Sequence, residues 1–388
     1  MKKILLYSAL ALLLLLGVFM FVLPGQVTKR ANAVLAHAPY TPSASAQALH
    51  QSLDIVDLHC DALLWNRDLL ERGKTGHVDV PRLIVGNVAL EVFTIVSKVP
   101  FGLNMERTNG NSDMITVLAI AQRWPPRTWG SLKERALYQA EKLHEFADRS
   151  QGKLVLIKTA ADLQSYLARR QTDRDLTAGF LGIEGAQVLE GDLANIDVLF
   201  DAGFRMMAPT HFFDNDIAGS AHGVEKGGLT EKGKEMIRRM EAKRMLVDLA
   251  HASPQTIDDV LAIANKPVLV SHTGVKGTCD GARNLSDGHV KRIAATGGVI
   301  GIAYFDAAIC ATDIQAIVRA IHYTADLAGV EHVGLGSDFD GAVSTPFDTA
   351  GLVQLTEALL AEGFSETEIG LIMGGNVLRV LQENLPIK

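Results

Sequence analysis

Apolar positions are distributed along the chain in two different ways. From Ile4 to Leu23 there is no charged residue, a stretch of the length that crosses a hydrocarbon core as one helix. Beyond about residue 47, short apolar runs alternate with amphipathic stretches of helical period, which is the pattern of successive βα units. Eight runs read as strands: Ile55 to His59, Val88 to Val96, Thr177 to Ile183, Arg205 to Pro209, Met245 to Leu249, Pro267 to Ser271, Gly298 to Tyr304 and His332 to Gly336. Helices are predicted over Leu132 to Arg149, Ile196 to Asp201, Glu231 to Ala242, Pro254 to Ile263, Ser286 to Ala295 and Asp313 to Ala328. Eight such units predict an α/β fold of the closed (β/α)8 TIM-type barrel, with a doubly wound sheet as the alternative. About residues 97 to 176 read as a helical insertion, whose first part, VPFGLNMERTNGNSDM, is loop-like and placed to cover a site.

The chain thus divides into an N-terminal membrane anchor (1–24), a linker (25–46) whose residues are mostly small and polar, and the barrel domain (47–388). The apolar run exceeds the roughly 7 to 15 residues of a signal peptide's core, and Lys29 and Arg30 separate it from the small-x-small site Ala31-Asn32-Ala33. An anchor is therefore expected, with secretion after cleavage as the alternative. Lys2 and Lys3 favour a cytoplasmic start, which puts the barrel on the extracytoplasmic side, periplasmic or extracellular.

Net charge is −7 and 21% of residues are charged, so nothing favours nucleic acid as a partner. Three cysteines, Cys60, Cys279 and Cys310, are too few and too irregular for a disulfide framework or a thiolate zinc site, and allow at most one bridge. No GxGxxG follows a predicted strand and no Walker motif occurs, which disfavours nucleotide chemistry.

The chemistry lies at the predicted strand ends. His59 and Asp61 end the first strand, Glu184 the third, His211 the fourth, His251 the fifth, His272 the sixth and Asp338 the eighth. Taken singly, each has an ordinary structural reading: a hydrogen-bonded histidine, or an aspartate capping a helix. As a set they converge on the C-terminal face where barrel enzymes build their sites. Side chains two apart on a strand point the same way, so His59 and Asp61 can reach one ion together. Imidazole and carboxylate suit zinc, with iron, manganese or cobalt as substitutes. Three histidines and two carboxylates exceed one tetrahedral zinc, and two metals sharing a carboxylate would use them all. His77, His222, His289, His322 and His332 lack that placement and read as structural or surface residues, and Asp340 as a cap or a support.

In order, DLHCD, GIEGA, THFFDN, VDLAHAS, SHTGV, ARNLSD, HVGLGSDFDG and GGNVLRVL resemble the membrane (renal) dipeptidases of the binuclear zinc amidohydrolase barrels, over essentially residues 51 to 381. The resemblance implies a zinc-dependent dipeptidase with two Zn2+ per subunit, cleaving the amide bond of dipeptides through a metal-bridging hydroxide. His59 and Asp61 would hold one ion, His251 and His272 the other, and Glu184 would bridge them. His211 would bind substrate and stabilise the oxyanion, Arg283 would grip the substrate carboxylate, and Asp338 would meet the free amine and shuttle the proton. The family's substrate-contacting tyrosine near the seventh strand falls where this chain has Tyr304 and Phe305. Dipeptides and the membrane are the expected partners, and a homodimer is compatible with the reading. Two other functions suit parts of the same pattern: a metal-dependent hydrolase of an ester, lactone or β-lactam, and a non-catalytic peptide-binding barrel.

Overall fold

The computed structural model describes residues 2–35 and 38–387. All eight predicted strands form, as β1 (Ile55–Cys60), β2 (Val88–Val96), β3 (Thr177–Glu184), β4 (Phe204–Met207), β5 (Leu246–Val247), β6 (Leu269–Thr273), β7 (Val299–Ile302) and β8 (Val333–Leu335). They pair in parallel in the order β5-β4-β3-β2-β1-β8-β7-β6. A single parallel bridge from Asp248 to Leu269 brings the two ends of that path together. This is the (β/α)8 barrel of the first alternative. Every residue of β2 and β3 is buried, as expected for parallel strands covered on one side by helices and filled on the other by barrel side chains.

The helices begin where the sequence supplies caps. Ser131, Thr230, Ser253, Ser286 and Asp313 each accept a hydrogen bond from a first-turn amide, satisfying donors that the helix itself leaves unpaired. The insertion after β2 contains helices Met114–Ala121, Leu132–Arg149 and Ala160–Arg170. It also contains a short strand, Leu154–Leu156, that adds to β3. At the C-terminal end, Val353–Glu362, Glu366–Gly370 and Asn376–Asn384 are helices that were not among those expected. A wide turn over Leu371–Gly375 joins the last two, and a Cβ on Gly374 would lie 2.1 Å from the Asp54 carbonyl oxygen. The glycine that breaks the helical pattern lets this segment close against the start of β1.

The described residues of the stretch expected as a linker include docked segments. Leu23–Ala31 is helical, Ala33 and Val34 pair in parallel with Ser344 and Thr345, and Ala44–Ser52 is a helix capped by Ser43. The Asn32 side chain accepts from the Ala342 amide at 2.8 Å. The strand-like pairing and this side-chain bond satisfy backbone groups on both segments, which a small polar composition does not announce. The helix Lys2–Phe21 has no buried residue. Cys279 and Cys310 form a disulfide, and Cys60 is free and buried.

Candidate metal centre

The C-terminal strand ends bring all seven predicted side chains into one buried basin. His59 Nε2 lies 3.6 Å from Asp61 Oδ1, 3.8 Å from Glu184 Oε1 and 3.8 Å from Asp338 Oδ1. Glu184 Oε1 is 2.9 Å from His251 Nε2 and 3.6 Å from His272 Nε2, and its Oε2 is 3.2 Å from His211 Nε2. Three donor triplets result, each with its atoms within 4.8 Å of one another: His59–Glu184–His272, Glu184–His211–His251 and His59–Asp61–Asp338. Glu184 belongs to two of them and His59 to two.

Local backbone geometry makes this convergence possible. Glu184 is the last residue of β3, and Gly185 at φ 93° turns the chain away behind it. His251 and Asp338 both adopt left-handed backbone, φ 61° and 60°, a conformation that costs a non-glycine residue energy and is concentrated at functional sites. A Cβ on Gly336 would sit 2.0 Å from the Ser271 carbonyl oxygen, so glycine is what allows β8 to approach the strand that carries His272.

A second layer of hydrogen bonds fixes which nitrogen each ring turns inward. The Met105 carbonyl is 2.7 Å from His222 Nδ1 and accepts its proton, which leaves His222 Nε2 to accept from His251 Nδ1 at 2.9 Å. His251 Nε2 then carries its lone pair toward Glu184. Ser271 Oγ is 3.0 Å from both His59 Nδ1 and His272 Nδ1 and can accept from each, which again frees both Nε2 atoms. Asp61 Oδ1 accepts from Thr94 Oγ1 at 2.9 Å. Such partners set tautomer and orientation of metal ligands. Ser271 and Thr94 were not singled out from the sequence, and His222 was read there as a structural or surface residue. Ser271 adjoins His272, and strict strand alternation would send it to the opposite face. An irregular register between Val270 and Thr273 removes that alternation.

Electrostatics test whether this set fits cations. Burial first, and then the Asp61 carboxylate, push the Glu184 carboxyl well above its ordinary pKa, and the same two causes raise Asp338. Burial also pulls His211, His251 and His272 well below theirs, helped by the Arg283 guanidinium. Burial opposes charging His59 too, but the neighbouring Asp61 and Glu184 carboxylates outweigh it and leave its pKa raised. Two buried carboxyls that resist ionising, facing neutral imidazole lone pairs, belong to a donor set that divalent cations would satisfy. His59 Nε2, buried with no hydrogen-bond partner among the described residues, points into the set.

A cavity of about 760 Å3 opens onto this basin, lined by Asp61, Glu184, His211, His251, Arg283 and Asp338. Arg283 is 7% exposed. Its Nη2 donates to the His272 carbonyl at 3.0 Å, its guanidinium lies 4.9 Å from the centre of the Phe305 ring, and Nε and Nη1 have no acceptor among the described residues. Of the two aromatic residues after β7, Phe305 lies on the cavity wall, and Tyr304 is fully buried against Phe339 and Phe347. The loop after β2 covers the basin as expected, with Val99, Leu103 and Met105 on the wall. Asp340 accepts from the amides of His77 and Val78 and pairs with Arg67, holding a loop in place.

A family model described as membrane dipeptidase (peptidase family M19) matches residues 43–386. An uncharacterized protein encoded in the pqqA 5′ region of Klebsiella pneumoniae is 31% identical over 256 residues, covering 62% of this chain and 92% of that protein. An uncharacterized dipeptidase of Schizosaccharomyces pombe is 32% identical over 217 residues, and the match spans about half of either chain, 53% of each. A crystal structure of a metallo peptidase from Rhodobacter sphaeroides, liganded with a phosphinate mimic of the dipeptide L-Ala-D-Ala, superposes with a TM-score of 0.71 at 22% identity. That superposition covers 86% of this chain and 99% of the other, and shows the shared fold.

Proposed function

Because the chain belongs to the membrane dipeptidase family, peptidase family M19, it is a metal-dependent dipeptidase, and we propose that its centre holds two zinc ions joined through Glu184. In this reading His59 and Asp61 hold one ion and His251 and His272 the other. The observation that carries it is the position of Glu184: its two oxygens lie 2.9 to 3.8 Å from nitrogens of His59, His211, His251 and His272. Among the described residues, the other two basin carboxylates, Asp61 and Asp338, lie this close to a histidine nitrogen only at His59.

Divalent cations bound there would polarise the scissile carbonyl and acidify a water. The protein's own groups supply the rest. A dipeptide in solution is a zwitterion, and the cavity offers as opposite charges Arg283 and, once bound cations favour its ionised form, Asp338. The unpaired Nε and Nη1 of Arg283 receive the carboxylate in charge-assisted hydrogen bonds. Asp338 takes the ammonium and later passes a proton to the amine that leaves, work that requires reach. His211, which contacts Glu184 Oε2 through Nε2 at 3.2 Å, redirects that N–H to the carbonyl oxygen as negative charge develops. A longer peptide has no carboxylate where Arg283 waits, so dipeptides are favoured over tripeptides. Esters and lactones lack one or both charged ends and make less use of this arrangement.

The helix Lys2–Phe21 would anchor the enzyme with the barrel extracytoplasmic. Its largely exposed apolar surface, with no buried residue, supports this, as does the Cys279–Cys310 disulfide, since disulfides persist in oxidising compartments. The test is metal analysis of the full chain in lipid nanodiscs with dipeptide hydrolysis before and after chelation. Two zinc ions per chain, lost activity on chelation and recovery on zinc addition are expected, and Glu184→Gln should fail to hold both ions. Full zinc content in Glu184→Gln would refute the bridging role.

A further inference from the structure

The wall of the cavity opposite the barrel is built by the N-terminal helices. Leu23 and Val27 line it, although they are 44% and 38% exposed, and Phe19 and Ala31 flank them. Trp65 and Leu118 line the barrel side; Trp65 belongs to a small buried apolar cluster, and both Leu118 and Ala31 pack against it. This segment is held in place rather than trailing. The Arg123 guanidinium donates to the Met20 carbonyl and lies 4.5 Å from the centre of the Phe21 ring. On the other side Leu35 donates to the Thr345 carbonyl at 2.9 Å, next to the Ala33–Ser344 pairing. Leu23 and Val27 therefore present unpacked apolar surface to the substrate cavity from a fixed position.

We infer that Leu23 and Val27 form an apolar subsite for the side chain of the substrate's amino-terminal residue, and that dipeptides beginning with a large apolar residue are preferred. The inference rests on the dipeptidase reading above. Orientation follows from charge. The substrate ammonium belongs at Asp338 and its carboxylate at Arg283, because each meets the opposite sign there. The N-terminal segment is tied to the chain that follows Asp338, through Asn32 to Ala342 and through the Ala33–Ser344 pairing, and Ala342, Val343 and Ser344 line the cavity beside it. Arg283 instead neighbours Phe305. The side chain next to the ammonium thus faces the N-terminal wall, and the side chain next to the carboxylate faces Phe305. Covering Leu23 and Val27 removes apolar surface from water, the ordinary driving force for binding an apolar side chain.

The test compares kcat/KM for Leu-Gly with that for Gly-Leu, using the full zinc-loaded chain in lipid nanodiscs. Wild type should favour Leu-Gly. In Leu23→Ser/Val27→Ser the ratio should fall about tenfold, the scale on which a hydrophobic pocket discriminates side chains. Val27→Ala, which only shortens the side chain, should shift the ratio the same way by less, and it decides the matter if the double variant has a lowered melting temperature. A wild-type ratio near one, or a ratio that neither variant moves, overturns the subsite while leaving the dipeptidase reading intact. If wild type cleaves neither substrate but retains its zinc, the dipeptidase reading fails and the subsite falls with it.

Discussion

Replacing Arg283 with alanine separates substrate recognition from bond cleavage. The guanidinium is 7% exposed and spends one donor on the His272 carbonyl, and Nε and Nη1 find no acceptor among the described residues. A substrate carboxylate entering this basin gives up water and depends on those donors in return. Deleting one member of such a buried, hydrogen-bonded charge pair costs about 3 to 4 kcal/mol, which corresponds to about 200- to 1000-fold in kcat/KM. A dipeptide whose terminus is an amide has no charge for Arg283 to meet, so its loss should stay within about tenfold. The assay is release of the free amino acid from paired substrates, Ala-Ala and Ala-Ala-amide, by wild type and Arg283→Ala. Metal content must be measured alongside, because Arg283 also helps hold His251 and His272 well below their ordinary pKa. Removing that positive charge leaves the histidines more basic, so bound zinc should be retained. Equal losses on both substrates at unchanged zinc content would refute the role assigned to Arg283.

Three further outcomes are expected. His222→Ala removes the group that orients His251 through the 2.9 Å contact, and should weaken zinc affinity about 10- to 100-fold in chelator competition, with the melting temperature of the zinc-free protein little changed; unaltered affinity would dismiss the positioning role. Burial lowers the His50 pKa to about 4, below an unfolded value of about 6.5. The unfolded chain therefore takes up a proton between those values that the folded chain refuses, so stability is full above pH 6.5 and falls by about 3 kcal/mol as pH drops to 4. Urea unfolding at pH 7 and pH 4.5 should show a smaller acid loss in His50→Gln than in wild type, and identical losses would contradict this. Reducing the Cys279–Cys310 bridge, which closes a separation of 31 residues, should lower unfolding free energy by about 3 to 4 kcal/mol, and a Cys279→Ser/Cys310→Ser protein of unchanged stability would show that the loop needs no tether.

Much of the barrel was legible because burial on both faces forces long apolar runs. Val88 to Val96, Leu132 to Arg149, Glu231 to Ala242 and Pro254 to Ile263 occupy their expected bounds. Short strands were less sharp: Met245 to Leu249 narrows to two residues, since a barrel strand ends where pairing ends and not where apolar character does. The last two helices were missed because glycines at 374 and 375 interrupt the helical period between them. The docked N-terminal segment was missed because its attachment uses backbone pairing and one asparagine, neither of which leaves a periodic trace.

The sequence by itself determined the order of βα units and the identity of the polar residues at their ends, since both follow from local alternation and from what a strand end can carry. Tertiary structure alone decided that Glu184 stands between four histidines contributed by four other strand ends, that Phe305 and not Tyr304 reaches the cavity, and that His222 supports His251 from a loop. The physical reason is that alternation fixes only which side a residue faces on its own strand. Distances between strands depend on barrel closure, on bulges such as the one before Thr273, and on left-handed turns at His251 and Asp338, all of which are set by packing across the whole chain.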